Sequence, residues 1–311
     1  MVYIMLIVGF FFLVKGADLF VDGSSSIAKR FGIPSVIIGL TIVAIGTSAP
    51  EIAVSITAAI EGRNEIAVGN ILGSNIFNLL VVAGLCAAIK PINVNIDILK
   101  RDLPFSILAA VALLIMGLDT VIFKTEASFI SHIDGFILLI LMCIFLFLTI
   151  RSARENRVVE SKQPFDMPTP PIGKALISLG IGLVAIIIGG NFVVDSASAI
   201  AASFGISQTL IGLTIVAIGT SLPELVTSFV AARKGESDIA IGNVVGSNIF
   251  NIFLVLGISG VITPIPFTMF SVIDVTFLIA ISLMVYAFSI SSKRINRPEG
   301  ILMILLYIGY T

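Results

Sequence analysis

The stretch IGLTIVAIGTSAPE at residues 38–51 recurs as IGLTIVAIGTSLPE at 211–224, and GNILGSNIFN at 69–78 recurs as GNVVGSNIFN at 242–251. Around them, residues 31–92 align with 204–265 at a constant offset of 173 without a gap, with 35 of the 62 positions identical. At the same offset Asp22 matches Asp195 and Gly16 matches Gly189. The chain therefore consists of two related halves. The identity is concentrated on polar residues inside apolar runs, whereas packing alone would preserve apolar volume.

Those apolar runs dominate the chain. Of 311 residues 57% are hydrophobic and 12% are charged, about half the usual share of roughly 25%. Mean hydropathy is +1.13. The 18 Lys+Arg and 19 Asp+Glu residues cannot coat a soluble core of this length. The composition excludes a soluble enzyme, a secreted disulfide scaffold and a disordered chain. The apolar residues run continuously and do not alternate, which argues against an outer-membrane barrel. A net charge of −1 suggests no nucleic-acid partner. Cys86 and Cys143 lie inside apolar runs, where packing and not a disulfide is expected. The N-terminus has no basic n-region or small-residue cleavage site, so the first run reads as a retained helix.

A transmembrane helix needs about 20 mostly apolar residues. The runs predict ten, at 2–27, 33–59, 65–88, 103–119, 133–150, 172–200, 206–232, 238–262, 270–290 and 298–311. The expected fold is thus an all-α polytopic membrane protein. Of the loop Lys and Arg residues, 14 fall in the odd-numbered loops; Arg63 and Lys124 alone fall in the even-numbered ones. Basic loops stay cytoplasmic, so both termini are expected outside and the 151–171 linker inside, in the cell (plasma or inner) membrane. The polar linker, RSARENRVVESKQPFDMPTPP, divides a five-helix unit at 1–150 from a second at 172–311. Five is odd, so the second unit enters the membrane from the opposite side: an inverted-topology repeat, whose paired interrupted helices point to a shared midplane site.

Within GTSAPE, Glu51 lies deep in an apolar run, where a carboxylate is costly unless it meets water, a partner or a cation. Pro50 has no N–H for the carbonyl of Gly46, which frees backbone oxygen in the membrane core. Thr47 shares a helix face with Glu51, and Ser48 is one step round. Gly219, Thr220, Ser221, Pro223 and Glu224 repeat the set. In GSNIFN, Ser74 and Asn78 are i, i+4 neighbours, repeated as Ser247 and Asn251, while Gly73 and Gly246 allow close helix approach. Asn70, Asn75, Asn243 and Asn248 point elsewhere on the turn and are expected to bond between helices. Oxygen-only donors without His or Cys suit hard cations such as Ca²⁺ and Na⁺, and two glutamates match the charge of one Ca²⁺. The single histidine, His132, is expected in a loop with a surface role.

On these residues the sequence resembles the sodium/calcium exchanger family, within the wider cation/calcium antiporters; GTSAPE and GSNIFN look like its two alpha repeats. The resemblance spans essentially the whole chain. It implies Na⁺/Ca²⁺ exchange by alternating access, with helices 1 and 6 sliding against an eight-helix core. It implies a central Ca²⁺ site at Glu51 and Glu224 with backbone oxygens of Thr47 and Thr220. It implies Na⁺ sites at Ser48, Ser74, Ser221, Ser247 and the carbonyls of Ala44 and Ala217. Asn78 matches the amide position of the first repeat. Some relatives carry Asp where this chain has Asn251, an Asp associated with a K⁺ requirement, so K⁺ cotransport is not the expectation. Proton-coupled relatives carry a different helix break in place of GTSxPE; H⁺ coupling is the runner-up, and a cation channel a more distant rival. No cofactor is expected, since Ca²⁺ and Na⁺ are cargo, and a monomer is the expected working unit.

Two further expectations concern helices 1 and 6. Gly9, Gly16, Gly180, Gly182, Gly189 and Gly190 would give them smooth contact surfaces suited to sliding. Asp18 and Asp22, with Asn191 and Asp195, are expected to cap helix ends, with the lining of an ion path as the alternative. An intramembrane protease is excluded by the lack of GxGD, HExxH or a membrane-embedded His–Ser pair.

Overall fold

The structure is a computed structural model that describes residues 2–62, 64–118, 128–160, 170–205 and 217–311. Ten helical segments follow the apolar runs. They are α1 Val2–Phe31, α2 (Ser35–Thr47 and Ala49–Ile60, bent by 51°), α3 64–89, α4 98–116, α5 His132–Glu160, α6 Ile172–Ser203, α7 (Ala217–Thr220 and Leu222–Lys234), α8 Ser237–Ile262, α9 Met269–Ser292 and α10 Arg297–Tyr310. Among the described residues, six unbroken helices are long and apolar enough to cross a membrane, and the bent pair of α2 makes a seventh. Residues 206–216 of the expected seventh span, residues 161–169 of the linker, and Arg63 and Lys124 of the even-numbered loops lie outside the described residues.

Local chemistry sets the helix ends. Proline occupies the first turn of the second piece of α2, of α4, of the second piece of α7 and of α10, where its missing N–H has no helical partner to lose. A capping box of Asn296 and Glu299 starts α10. The turns after α2 and α7 close on Gly62 (φ 72°) and Gly235 (φ 84°), backbone conformations that a side chain would strain.

The apolar core encloses a set of buried polar residues, and large apolar residues also cover the outside. Ser48, Glu51, Asn75, Asn78, Ser221, Glu224, Asn248 and Asn251 are buried, while Ile7, Phe11, Phe147, Ile181, Leu305 and Ile308 are exposed. Only a hydrocarbon surround makes that distribution favourable. At the centre α2 packs on α3 and α8, and α7 packs on α8 and α3. Gly39, Gly242 and Gly246 bring the α2 and α8 backbones so close that a Cβ at any of them would meet backbone oxygen at 2.7–2.8 Å. Outside this core α10 lies on α3 and α5 on α8, and α9 lies on α4. Two short antiparallel ladders tie the loops: β1 Ile92–Asn93 with β4 Arg294–Ile295, and β2 Phe129–Ile130 with β3 Ile265–Pro266.

Helices α1 and α6 form an antiparallel pair, and α1 also packs on α7. A Cβ at Gly9 would meet the Gly189 carbonyl at 3.0 Å, one at Gly16 the Gly182 carbonyl at 2.9 Å, and one at Gly23 the Ala175 carbonyl at 2.8 Å. The seven-residue spacing of these glycines puts them on one stripe. Gly180 has no neighbour within 4 Å of such a Cβ and Gly190 only loose contacts, so these two do not belong to the seam.

Several expectations are corrected. Helix α5 runs on to Glu160, so the polar segment begins as helix, where Arg151 pairs with Glu155 at 2.8 Å; i, i+4 pairing supports a helix past the apolar run. His132 opens α5 and is not in a loop; its Nδ1 lies 3.0 Å from the carbonyls of Gly260 and Val261. Asp18 and Asp22 sit inside the 30-residue α1 and cap nothing. Asp195 and Asn191 likewise lie inside α6 and are exposed.

Candidate cation site

The site is built where α2 and α7 break. Ser48 (φ −79°, ψ 8°) separates the two pieces of α2, and Ser221 (φ −92°, ψ 5°) separates those of α7. Pro50 and Pro223 follow two residues later, in the first turn of each new piece. Each break falls at the serine two residues before Pro, where ψ moves to near 0° and the proline that follows has no N–H for the carbonyl four residues back. The second pieces then open with Glu51 and Glu224 in their first turns, where the helix N-terminus favours negative charge.

The two breaks exchange partners across the molecule. Ser48 Oγ donates to Glu224 Oε1 at 2.7 Å, and Ser221 Oγ donates to Glu51 Oε1 at 3.0 Å. Ser74 reaches Glu51 Oε1 at 3.3 Å and Ser247 reaches Glu224 Oε1 at 3.4 Å. Ser221 and Ser74 also meet each other, at 3.0 Å. Both glutamates are fully buried. In each, Oε1 takes the serine donors while Oε2 has no hydrogen-bond partner.

The GSNIFN segments add a reciprocal amide cluster. Asn75 Nδ2 donates to the Asn248 carbonyl at 3.2 Å, and Asn248 Nδ2 returns to the Asn75 carbonyl at 3.1 Å. Asn78 Nδ2 bonds Asn248 Oδ1 at 3.2 Å, and Asn251 Nδ2 bonds Asn75 Oδ1 at 3.0 Å. With both amide nitrogens committed, Asn78 Oδ1 and Asn251 Oδ1 are buried and unpartnered. The backbone helps to place these two side chains. Asn78–Ala83 and Asn251–Leu256 are π-helical, so a wider turn begins at each asparagine.

Thr47 and Thr220 are buried beside the breaks. The Thr47 hydroxyl is engaged with the Val43 carbonyl at 3.1 Å and with Asn243 Oδ1 at 3.0 Å. The Thr220 hydroxyl lies 3.5 Å from Asn70 Oδ1. Behind them Asn70 bonds Ser55 at 3.1 Å and Asn243 bonds Ser228 at 2.9 Å. Ser55 and Ser228 escaped the motif reading, although they match at the repeat offset of 173 and that identity marked them. The Ala44 carbonyl accepts the Ser48 N–H at 3.0 Å; the single proton of the Thr47 hydroxyl has nearer acceptors than this carbonyl, which lies 3.4 Å away. Ala217 begins the short first piece of α7. The sequence-named polar residues of α2, α3, α7 and α8 thus fall into a polar region of hydrogen-bonded groups: one around Glu51, one around Glu224, one of the four asparagines, and one of Thr220 with Asn70 and Ser55. Its donors are carboxylate, hydroxyl and amide oxygens, the set that hard cations prefer.

The family model described as sodium/calcium exchanger protein matches residues 1–151 and 174–311. The chain belongs to the sodium/calcium exchanger family. It is 40% identical over 99% of its length to the putative antiporter CaxA of Alkalimonas amylolytica, covering 96% of that protein. It is 36% identical to the sodium/calcium exchanger MaX1 of Methanosarcina acetivorans, covering 99% of this chain and 97% of that one. Among solved structures, the sodium-calcium exchanger NCX_Mj soaked with 2.5 mM Na⁺ and 0.1 mM Ca²⁺ superposes with a TM-score of 0.85. That pair is 34% identical, over 99% of this chain and 96% of the other. Exchanger membership agrees with the sequence reading and with an architecture whose polar network is buried among apolar helices.

Proposed function

We propose that this protein exchanges Na⁺ for Ca²⁺ across the cell membrane by alternating access, with both ions using one site shared by its two halves. The observation that carries this reading is the set of four buried, unpartnered oxygens: Glu51 Oε2, Glu224 Oε2, Asn78 Oδ1 and Asn251 Oδ1. Two come from each half, at positions related by the offset of 173. Buried polar oxygen is normally hydrogen-bonded, and a partnerless carboxylate oxygen is costly. A cation that these oxygens coordinate would remove that cost.

Coupling follows from desolvation. Without a cation, the site carries two negative charges with no water to solvate them, and carrying it past a dry barrier is unfavourable. One Ca²⁺, or Na⁺ ions in its place, offset the charge and lower the barrier. Empty return is suppressed. The two ions need the same carboxylates and so compete, and the sodium gradient drives calcium extrusion. Ser48 and Ser221 hold one oxygen of each glutamate and leave the other for the ion, while Asn78 and Asn251 add neutral oxygen. Ser74 and Ser247, the backbone oxygens of Thr47 and Thr220, and the carbonyls of Ala44 and Ala217 complete the Na⁺ positions. The α1–α6 pair, joined along its glycine seam, slides as a unit over the other eight helices.

The organisation that fits this mechanism is a five-helix unit at 1–150, a cytoplasmic linker at 151–171 and an inverted five-helix unit at 172–311. Both termini are extracellular, no cofactor is needed, and one chain embedded in lipid suffices. The test is ⁴⁵Ca²⁺ uptake into proteoliposomes under outward gradients of Na⁺, K⁺ or H⁺. Uptake driven by Na⁺ alone, saturating and stopped when the gradient is removed, supports the reading. Uptake driven by H⁺ alone overturns the coupling ion, a strict K⁺ requirement adds a third cargo, and flux without counter-ion dependence marks a channel.

A further inference from the structure

Behind the ion site, one amide on α8 joins parts of both halves. Asn243 is fully buried. Its Oδ1 is the nearest acceptor of the Thr47 hydroxyl, at 3.0 Å. Its Nδ2 donates to Ser228 Oγ at 2.9 Å and lies 3.5 Å from the Glu224 carbonyl oxygen. Thr47 ends the first piece of α2, immediately before the break, while Glu224 and Ser228 lie one turn apart in the second piece of α7. An amide carries an acceptor at one corner and donors at the other, so this side chain holds two different helices at once. It spans from the break of the first half to the glutamate helix of the second.

The arrangement recurs. Thr47, Ser55 and Asn70 match Thr220, Ser228 and Asn243 at the offset of 173. On α3, Asn70 Nδ2 donates to Ser55 Oγ at 3.1 Å, and its Oδ1 lies 3.5 Å from the Thr220 hydroxyl. This second strut runs from the break of the second half to the glutamate helix of the first. The two copies differ in tightness. The threonine bond is 3.0 Å at Asn243 and sits at the edge of hydrogen-bond range at Asn70.

We propose that Asn243 and, to a lesser degree, Asn70 are positioning residues that set the calcium preference of the site by fixing the gap between each threonine and the glutamate of the other half. They act through Thr47, Thr220 and the two glutamate helices without touching the ion. The inference rests on the exchange reading, in which Ca²⁺ and Na⁺ meet the same carboxylates. Attraction to a carboxylate scales with the charge of the ion and falls with distance. The same loosening of the site therefore costs Ca²⁺ twice the energy that it costs one Na⁺, and the loss of calcium affinity is the square of the loss for each Na⁺. Asn243→Ala removes both ends of the strut. Calcium affinity should fall about ten-fold and sodium affinity about three-fold per ion.

The test compares the two ions in the purified full-length protein. Scintillation-proximity binding of ⁴⁵Ca²⁺ without Na⁺, and of ²²Na⁺ without Ca²⁺, gives each affinity separately, and thermal melts without either ion give the stability of the fold. Asn243→Ala should show the ten-fold and three-fold losses, and Asn70→Ala a smaller loss with the same bias against calcium. Ser228→Ala, which removes the far end of the Asn243 strut, should shift the ions in the same direction and carries the test if Asn243→Ala does not fold. Affinities that stay unchanged, or fall by one common factor for both ions while the ion-free melting temperature drops, overturn the proposal: the asparagines then serve packing alone, and the exchange reading stands. A parent protein that binds no Ca²⁺ displaceable by Na⁺ overturns both.

Discussion

Glu224→Gln removes one of the two site charges while keeping side-chain shape and one carbonyl oxygen. The Ser48 hydroxyl, 2.7 Å from Glu224 Oε1, can still donate to that oxygen, so the break in α2 should survive. For the ion the change is large. At a Ca–O distance of about 2.4 Å and an effective dielectric of about 20, the gross attraction between Ca²⁺ and one carboxylate is about 14 kcal/mol. Dehydration of ion and carboxylate offsets most of this. Removing one partner of a buried charge pair typically leaves a net loss of about 3–5 kcal/mol. Calcium affinity should therefore fall by about two to nearly four orders of magnitude. Glu51→Gln should behave alike, since Ser221 and Ser74 serve Glu51 as Ser48 and Ser247 serve Glu224. Without ions both variants should be at least as heat-stable as the parent, because a buried carboxylate with a partnerless oxygen has been neutralised. The assay is the calcium dependence of ⁴⁵Ca²⁺ uptake in proteoliposomes, paired with thermal melts with and without Ca²⁺. Less than a ten-fold loss of affinity in either variant, with uptake retained, would refute the reasoning for that glutamate.

Three further outcomes follow from the geometry. Gly182→Ala places a Cβ 2.5 Å from the Phe20 backbone nitrogen and 2.7 Å from the Gly16 carbonyl; the α1–α6 seam must open, costing about 1–3 kcal/mol, read as a lower melting temperature and slower uptake, whereas Gly180→Ala, with nothing within 4 Å, should be silent. Asn75→Ala strips partners from Asn248 and Asn251 and should cost about 1–3 kcal/mol; Asn248→Ala should cost a similar amount and the double variant less than the sum, checked by denaturation as a double-mutant cycle. Pro50→Ala restores an N–H to the Gly46 carbonyl, so α2 should lose part of its 51° bend and calcium uptake should fall although the protein folds; an unchanged uptake curve would show that the bend does not shape the site.

Much of this architecture was legible in the residues because it rests on composition and on repetition. Among the described residues the apolar runs lead to helices, with ends displaced by a few residues where charged pairs such as Arg151–Glu155 prolong a helix beyond its apolar stretch. The paired acids were legible because a carboxylate inside an apolar run demands an explanation. The crossing of partners was not: nothing local links Ser48 to Glu224, 176 positions apart, and only folding brings the two breaks face to face. The π-helical turns at Asn78 and Asn251 were also invisible, since a change in hydrogen-bond register leaves no mark in hydropathy. Asp18 and Asp22 were misread as caps because their partner, Lys234, is more than two hundred residues away.

The account depends on Glu51 and Glu224 converging on one cation. Equilibrium ⁴⁵Ca²⁺ binding to the purified protein, with and without Na⁺, tests that most directly. The expected result is one Ca²⁺ per chain, displaced by Na⁺ and lost in both Glu51→Gln and Glu224→Gln. Two Ca²⁺ per chain, each surviving removal of the other half's glutamate, would contradict it.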